Sequence, residues 1–120
     1  MSATEFEIKT SVINGVPVIK MTGMMKDQDV LRFSREMRSL VRSNSSGIIV
    51  DVSDLHFIDS HGLGILVYFH SMLVKNNRRL YVLNENRDEL SYISGLFKST
   101  HLDKVLKIVK SKVEIFQELS

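Results

Sequence analysis

The sequence predicts an α/β fold. Three observations carry that reading. Gly47-Ile48-Ile49-Val50-Asp51-Val52 is almost wholly apolar, as a strand covered on both faces must be. Amphipathic helical stretches alternate with strand-like ones, which implies right-handed crossovers and a mostly parallel sheet. Near the N-terminus, Asn14-Gly15 sits between two apolar runs and favours the positive φ angles of a two-residue hairpin turn.

The elements follow in order. Phe6, Ile8 and Val12 alternate with polar residues as in a half-buried strand. The second strand is predicted over Val16 to Thr22, with Gly23 ending it and Pro17 at its start or on a free edge. Asp27 or Asp29 offers an N-cap for a helix from Gln28 to Arg42. Val30, Phe33, Met37, Leu40 and Val41 share its core face. Arg32, Arg35, Arg38 and Arg42 lie roughly opposite as a solvated face, and Leu31 stands beside them as a contact residue. A strand over Gly47 to Val52 leads into a polar turn that ends in Asp59-Ser60-His61-Gly62. The next helix, capped by Ser60, reaches Asn76. Arg79 to Asn84 is a buried strand. Asn86 caps a short helix from Arg87 to Ile93, ended by Ser94-Gly95. Val105 to Val109 is a last strand and Val113 to Leu119 a last helix. The sum is four to five strands, an N-terminal hairpin and about four helices, in one domain spanning residues 1–120.

Composition excludes several chemistries. There is no cysteine, hence no disulfide, thiolate catalysis or cysteine zinc site. Net charge is +2 with basic residues spread along the chain, which speaks against nucleic acid as the main partner. No apolar run is long enough to span a bilayer, and the first residues lack a signal-peptide pattern, so the cytoplasm is the expected compartment. His56, His61, His70 and His101 show no metal-binding i, i+4 pair, and no metal or cofactor is expected. His70 is expected at the core margin with its ring hydrogen-bonded.

The helix after Ser60 is apolar on two sides. One face is Leu63, Leu66, Val67, His70, Leu73 and Val74, read as core; the other is Ile65, Tyr68, Phe69 and Met72, read as an interface to a partner or to a second copy of the chain. Gly62 and Gly64 are costly in a first helical turn. They make sense if a phosphate or a protein approaches the backbone, or if the helix packs tightly on a strand.

The run Asp51-Val52-Ser53-Asp54-Leu55-His56-Phe57-Ile58-Asp59-Ser60-His61-Gly62-Leu63-Gly64 resembles the signature of STAS domains, the anti-sigma factor antagonist family. Gly23 before the first helix, Ser94-Gly95-Leu96-Phe97 and Leu102-Asp103 fit the same pattern. The resemblance implies a bacterial, non-enzymatic binding switch for signal transduction and transcription regulation. Such a domain binds an anti-sigma factor, often a serine kinase, and is released when phosphorylated. The family's phosphoacceptor aligns with His61, which has no hydroxyl, and an Asp common after the glycine is replaced by Lys26, with Asp27 next. The implied contact set is Lys26, Asp27, Asp59, Ser60, His61, Gly62, Leu63, Gly64, Ile65, Tyr68, Phe69 and Met72. Three readings follow from the changed residue: constitutive binding, a switch moved to Ser60, or a different partner on the same surface. A self-associating scaffold without phospho-control is the alternative. A small enzyme built on Asp51, Asp54, Asp59 and His61 comes last.

Overall fold

A computed structural model describes residues 5–119. The reading of the first residues as lacking a signal peptide rests partly on residues 1–4, which lie outside the described residues. Five strands form one sheet in the order β1-β2-β3-β4-β5. They are β1 (Glu7–Ile13), β2 (Val16–Met25), β3 (Gly47–Ile58), β4 (Arg79–Leu83) and β5 (Lys107–Val109). β1 runs antiparallel to β2, and the other three pairings are parallel. Four helices accompany them among the described residues: α1 (Asp29–Val41), α2 (Ser60–Lys75), α3 (Tyr92–Ser99) and α4 (Lys112–Leu119).

Sequential parallel strands joined by right-handed crossovers must carry their helices on one face. α1, α2 and α3 accordingly share one core with the sheet, built on Ile19, Met21, Ile48, Val50, Leu80 and Val82. The other face presents Val16, Val18, Ile49, Tyr81, Leu83 and Val109, and α4 covers it with Ile115, Phe116 and Leu119.

The hairpin forms as expected. Asn14 and Gly15 have φ of 50° and 79°, as a two-residue turn that matches the strand twist requires. Pro17 lies at the start of β2, before the parallel pairing with β3 begins at Val18.

β2 and β3 both outrun the expectation. Gly23 does not end β2: the strand continues to Met25, and β3 continues through the supposed polar turn to Ile58. Register explains why this was hidden. Lys20 pairs with Asp51 and Thr22 with Asp54, then Gly23 pairs with Leu55 and Met24 with Phe57. Each step inserts one extra residue into β3, so the strand carries two bulges. Its core residues Val50, Val52, Leu55 and Ile58 therefore fall at spacings of two, three and three, and the period-2 signal disappears. Gly23, at φ 83°, supplies a backbone angle that other residues adopt only at a cost.

Three helix boundaries also differ from expectation. α1 has Gln28 at its N-cap without a side-chain cap bond, and the Asp29 carboxylate instead accepts from the Lys26 N–H at 3.3 Å. α2 is capped by Asp59, not Ser60: the Gly62 N–H donates to Asp59 Oδ1 at 2.9 Å. The predicted helix at Arg87 to Ile93 is absent. There, Asn84, Asn86 and Asp88 each accept a backbone N–H two residues on, which holds the chain in successive turns. The helix starts later, with Ser91 as N-cap of α3, and Ser94-Gly95 lies inside it. The end of α2 is as read: Asn77 sits at φ 57°, Arg78 N–H reaches the Leu73 carbonyl and Asn77 N–H the Val74 carbonyl. The last strand, at Lys107–Val109, is shorter than expected because the Val105 and Leu106 N–H groups turn back to the Leu102 carbonyl at the end of a 3₁₀ turn over Leu102–Lys104.

Gly62 is where helix and sheet meet most closely. A Cβ there would stand 2.6 Å from Ile58 Cγ1 and 2.9 Å from Met25 Sδ, whereas a Cβ on Gly64 meets nothing within 4 Å. Gly62→Ala is expected to lose about 1–3 kcal/mol of stability through overpacking. Gly64→Ala is expected to gain up to about 1 kcal/mol through helix propensity. Urea unfolding of the two variants against the parent checks both signs.

Candidate functional site

The site is built by two strand ends. Met25 and Ile58 are paired in the sheet, so the turn Lys26–Gln28 and the turn Asp59–Gly62 leave the sheet side by side. Gly62 packs directly on both residues, which draws the first turn of α2 against this edge. Asp59 fastens the turn twice: its carboxylate accepts the Gly62 N–H and its backbone carbonyl accepts the Leu63 N–H at 3.0 Å.

The sequence-derived contact set divides here. Lys26, Asp27, Ser60, His61 and Gly64 are exposed and Asp59 is half-buried. These six residues line one end of the molecule. Gly62 and Leu63 are buried and serve packing. Of the two readings of the paired glycines, tight packing therefore accounts for Gly62, while Gly64 is open to an incoming group.

The face of α2 read as an interface is corrected at Phe69. Its side chain is fully buried in the core, and Tyr68 meets it edge-on with ring centroids 5.1 Å apart. The core stripe runs Leu63, Leu66, Phe69, Leu73, stepping three, three and four residues, so Phe69 and not His70 continues it. Val74, read as core, is exposed. Val67 is half-buried. His70 is also half-buried, and its Nδ1 has no hydrogen-bond partner among the described residues, contrary to the expected bonded ring. Ile65 and Met72 are half-buried against the core. Tyr68, 56% exposed, is what remains of an outward aromatic face.

The carboxylates that invite a hydrolytic reading have structural tasks. Asp51 is buried, and its Oδ1 accepts Ser53 N–H at 3.0 Å and Ser53 Oγ–H at 2.6 Å. Ser53 Oγ in turn accepts the Glu85 N–H at 2.8 Å, tying β3 to the segment after β4. Asp54 pairs with Lys20 at 3.1 Å, and that hydrogen bond is the main cause of the raised Lys20 ammonium pKa. Asp54 borders a polar cleft of about 440 Å³ with Lys20, His56 and Glu85, on the sheet face away from α1–α3. No group of three His, Cys, Asp or Glu among the described residues is placed to hold a metal ion. No described helix is long and apolar enough to cross a membrane.

Two features beside the site escaped the sequence reading. The Phe57 and Tyr92 rings stack at 5.3 Å with an interplanar angle of 24°, and the Tyr92 hydroxyl lies 3.4 Å from the Ile58 carbonyl. Leu90 stands almost entirely in solvent. Phe57 was hidden by the bulged strand and Leu90–Tyr92 by the misplaced helix. The α1 arginines 32, 35, 38 and 42 are exposed, as a solvated face should be, and Leu31 is exposed beside them.

The geometry separates two roles within α2. Phe69→Ala is expected to cost about 3–5 kcal/mol, as for a core aromatic. Tyr68→Ala is expected to fall within about 1 kcal/mol of the parent. Asp59→Ala removes the cap and is expected to cost about 1 kcal/mol. Thermal and urea unfolding of the three variants measures them together.

The chain matches known proteins along nearly all of its described length. The family model described as the STAS domain matches residues 7–115. A crystal structure of an anti-sigma factor antagonist from Mycobacterium paratuberculosis superposes with a TM-score of 0.82 at 18% identity, over 98% of this chain and 97% of that one. The anti-sigma factor antagonist SpoIIAA in its unphosphorylated form gives 0.69 at 19% identity, over 95% of each chain. The Bacillus cell fate determinant SpoIIAA in its phosphorylated form gives 0.66 at 18% identity, over 97% of this chain and 100% of that one. At these identities the likeness establishes the fold.

Proposed function

The chain belongs to the STAS domain family, and from that premise we propose that residues 1–120 act as one regulatory domain that binds protein and carries out no catalysis. Its partner is an anti-sigma factor or a related kinase-type regulator, in keeping with the antagonists that share its fold. The setting is partner switching in the cytoplasm of a bacterium. The observation that carries this reading is the single exposed edge formed by Lys26, Asp27, Ser60, His61 and Gly64 beside the cap Asp59. It is a polar rim on a rigid base, and Gly64 leaves room for a partner's side chain or backbone against the helix. Ile65, Tyr68 and Met72 extend it along α2 with modest apolar area.

Residue 61 decides how the contact is controlled. SpoIIAA is known in a phosphorylated and an unphosphorylated form. Here an imidazole stands at the position equivalent to the family's phosphoacceptor and offers no hydroxyl to a serine kinase. Ser60, exposed in the same turn, is the neighbouring hydroxyl that a kinase can reach. A phosphate on it would add about −1.5 to −2 charge at the contact. Without modification at Ser60 the domain binds constitutively, and this favours the second reading, a phosphorylation-independent component of a larger complex.

Affinity capture from the source cell, read by mass spectrometry, tests the proposal. The expected result is a kinase-like ATPase or anti-sigma factor that the parent chain retains and Gly64→Arg loses at least about tenfold. Val113→Arg, on the far α4, is expected to retain it. With that kinase and ATP, phosphate is expected on Ser60 or nowhere, to disappear in Ser60→Ala, and to appear in His61→Ser. Recovery of only complex subunits without a kinase fold would replace the antagonist with the scaffold.

A further inference from the structure

The C-terminal ends of β4 and β5 lie side by side, because the two strands run parallel and the Asn84 N–H donates to the Val109 carbonyl at 2.9 Å. That end of a parallel sheet is where α/β folds receive small ligands. Here it opens a cleft of about 180 Å³, whose lining includes Asn84, Ser94, Phe97, Asp103, Ile108 and Lys110. The space is many times what one water needs. None of the residues of the rim at Lys26 and Asp59–Gly64 lines it.

Two of the lining side chains are polar and deeply buried. Asn84 is 2% exposed and Ser94 7%. Ser94 Oγ accepts twice, from Asn84 Nδ2 at 3.3 Å and from the Ser91 hydroxyl at 3.1 Å. Its own hydrogen meets no acceptor among the described residues. The same is true of the second hydrogen on Asn84 Nδ2, while Asn84 Oδ1 accepts the Asn86 N–H. Buried donors left without acceptors are costly, so this pair calls for an incoming oxygen. The charged lining is balanced in number and only half paired. Glu89 and Lys98 satisfy each other at 3.1 Å. Lys110 and Asp103 enter no ion pair among the described residues. Lys110 acts with Lys98 on Glu89, holding that carboxyl below its ordinary range, so two ammoniums there share one carboxylate. Buried Phe97 and half-buried Ile108 supply an apolar wall.

We propose that this cleft binds a free α-amino acid with a small apolar side chain. Its carboxylate accepts from the Ser94 hydroxyl and the Asn84 amide and is balanced by Lys110. Its ammonium is balanced by Asp103, and its side chain lies on Phe97 and Ile108. A simple anion would leave Asp103 as an uncompensated like charge, and a simple amine would leave both buried donors unmet. The ligand site is independent of the partner contact proposed above.

The test is titration of the isotope-labelled full chain with L-alanine, L-valine and L-leucine, followed through its backbone amide resonances. At least one of the three is expected to give saturable shifts at Asn84, Ser94 and Lys110 below about 10 mM. Its analogues lacking the ammonium or the carboxylate, which for valine are isovalerate and isobutylamine, are expected to bind at least about tenfold more weakly. Lys110→Met and Asp103→Asn are expected to weaken the amino acid at least about tenfold. Both variants should keep a thermal midpoint within about 2 °C of the parent, since neither side chain is in the core. The proposal is overturned if no amino acid of the three moves those amides saturably. It is equally overturned if either analogue binds as tightly as the amino acid, or if the folded variants bind it as the parent does.

Discussion

A methyl group on residue 62 would occupy space that Ile58 and Met25 already fill. That contact is what the working end of the molecule depends on. Ile58 and Met25 close the long pairing of β2 with β3, and the first turn of α2 rests on both. Because residue 62 has no side chain, the helix starts against the sheet instead of beyond it. The turn at 26–28 and the turn at 59–61 are thereby held on a common base, although they lie more than thirty residues apart in sequence. Residues 60, 61 and 64 then face outward by default, since the inner side of that helical turn is taken by Gly62 and Leu63.

Much of this was legible before the structure. The apolar run from Gly47, the Asn14-Gly15 turn and the alternation of elements lead to the right sheet, and the STAS resemblance names the family that the match over residues 7–115 shows. What stayed hidden has physical causes. Two bulges shift the core residues of β3 out of period, so a strand read as a polar turn. The Asp88 carboxylate takes the Leu90 N–H that a helix over 87–93 would have given to the Asn86 carbonyl. The stripe of α2 drifts by steps of three and four, which moved Phe69 into the core. In the site itself, Lys26, Asp27, Ser60, His61 and Gly64 of the expected set are exposed while Gly62, Leu63 and Phe69 are buried, and the Phe57–Tyr92 stack and the exposed Leu90 had no signal that single-sequence periodicity could reveal.

The charged residues divide by depth. Asp51 is buried and works through hydrogen bonds that reach from β3 to Glu85. Arg78 spans 2.7 Å to the Val41 carbonyl and 2.9 Å to the Ser45 carbonyl, closing the end of α1 against the start of β4. Glu118 meets Arg79 at 2.7 Å and Lys107 at 3.5 Å and so straps α4 to two strands. These ion pairs and side-chain ties thus gather away from the turns at 26–28 and 59–61, where Lys26 and Asp27 are exposed and Asp59 is taken up by the cap of α2.

The one-sided placement of α1, α2 and α3 has a consequence for how the chain is made. Each of those helices precedes the strand it helps to bury, so that face of the sheet is covered as it is synthesised. The opposite face waits. Among the described residues, α4 is the helix that shelters Val16, Val18, Ile49, Tyr81, Leu83 and Val109, and it follows all five strands in the chain. On a ribosome adding about 5–20 residues per second, the sheet shows a bare apolar surface until Ile115 arrives. During that interval the nascent chain is most open to chaperones and to other nascent copies. The smallest cover in the fold, with a single fully buried side chain, therefore ends the period of greatest exposure.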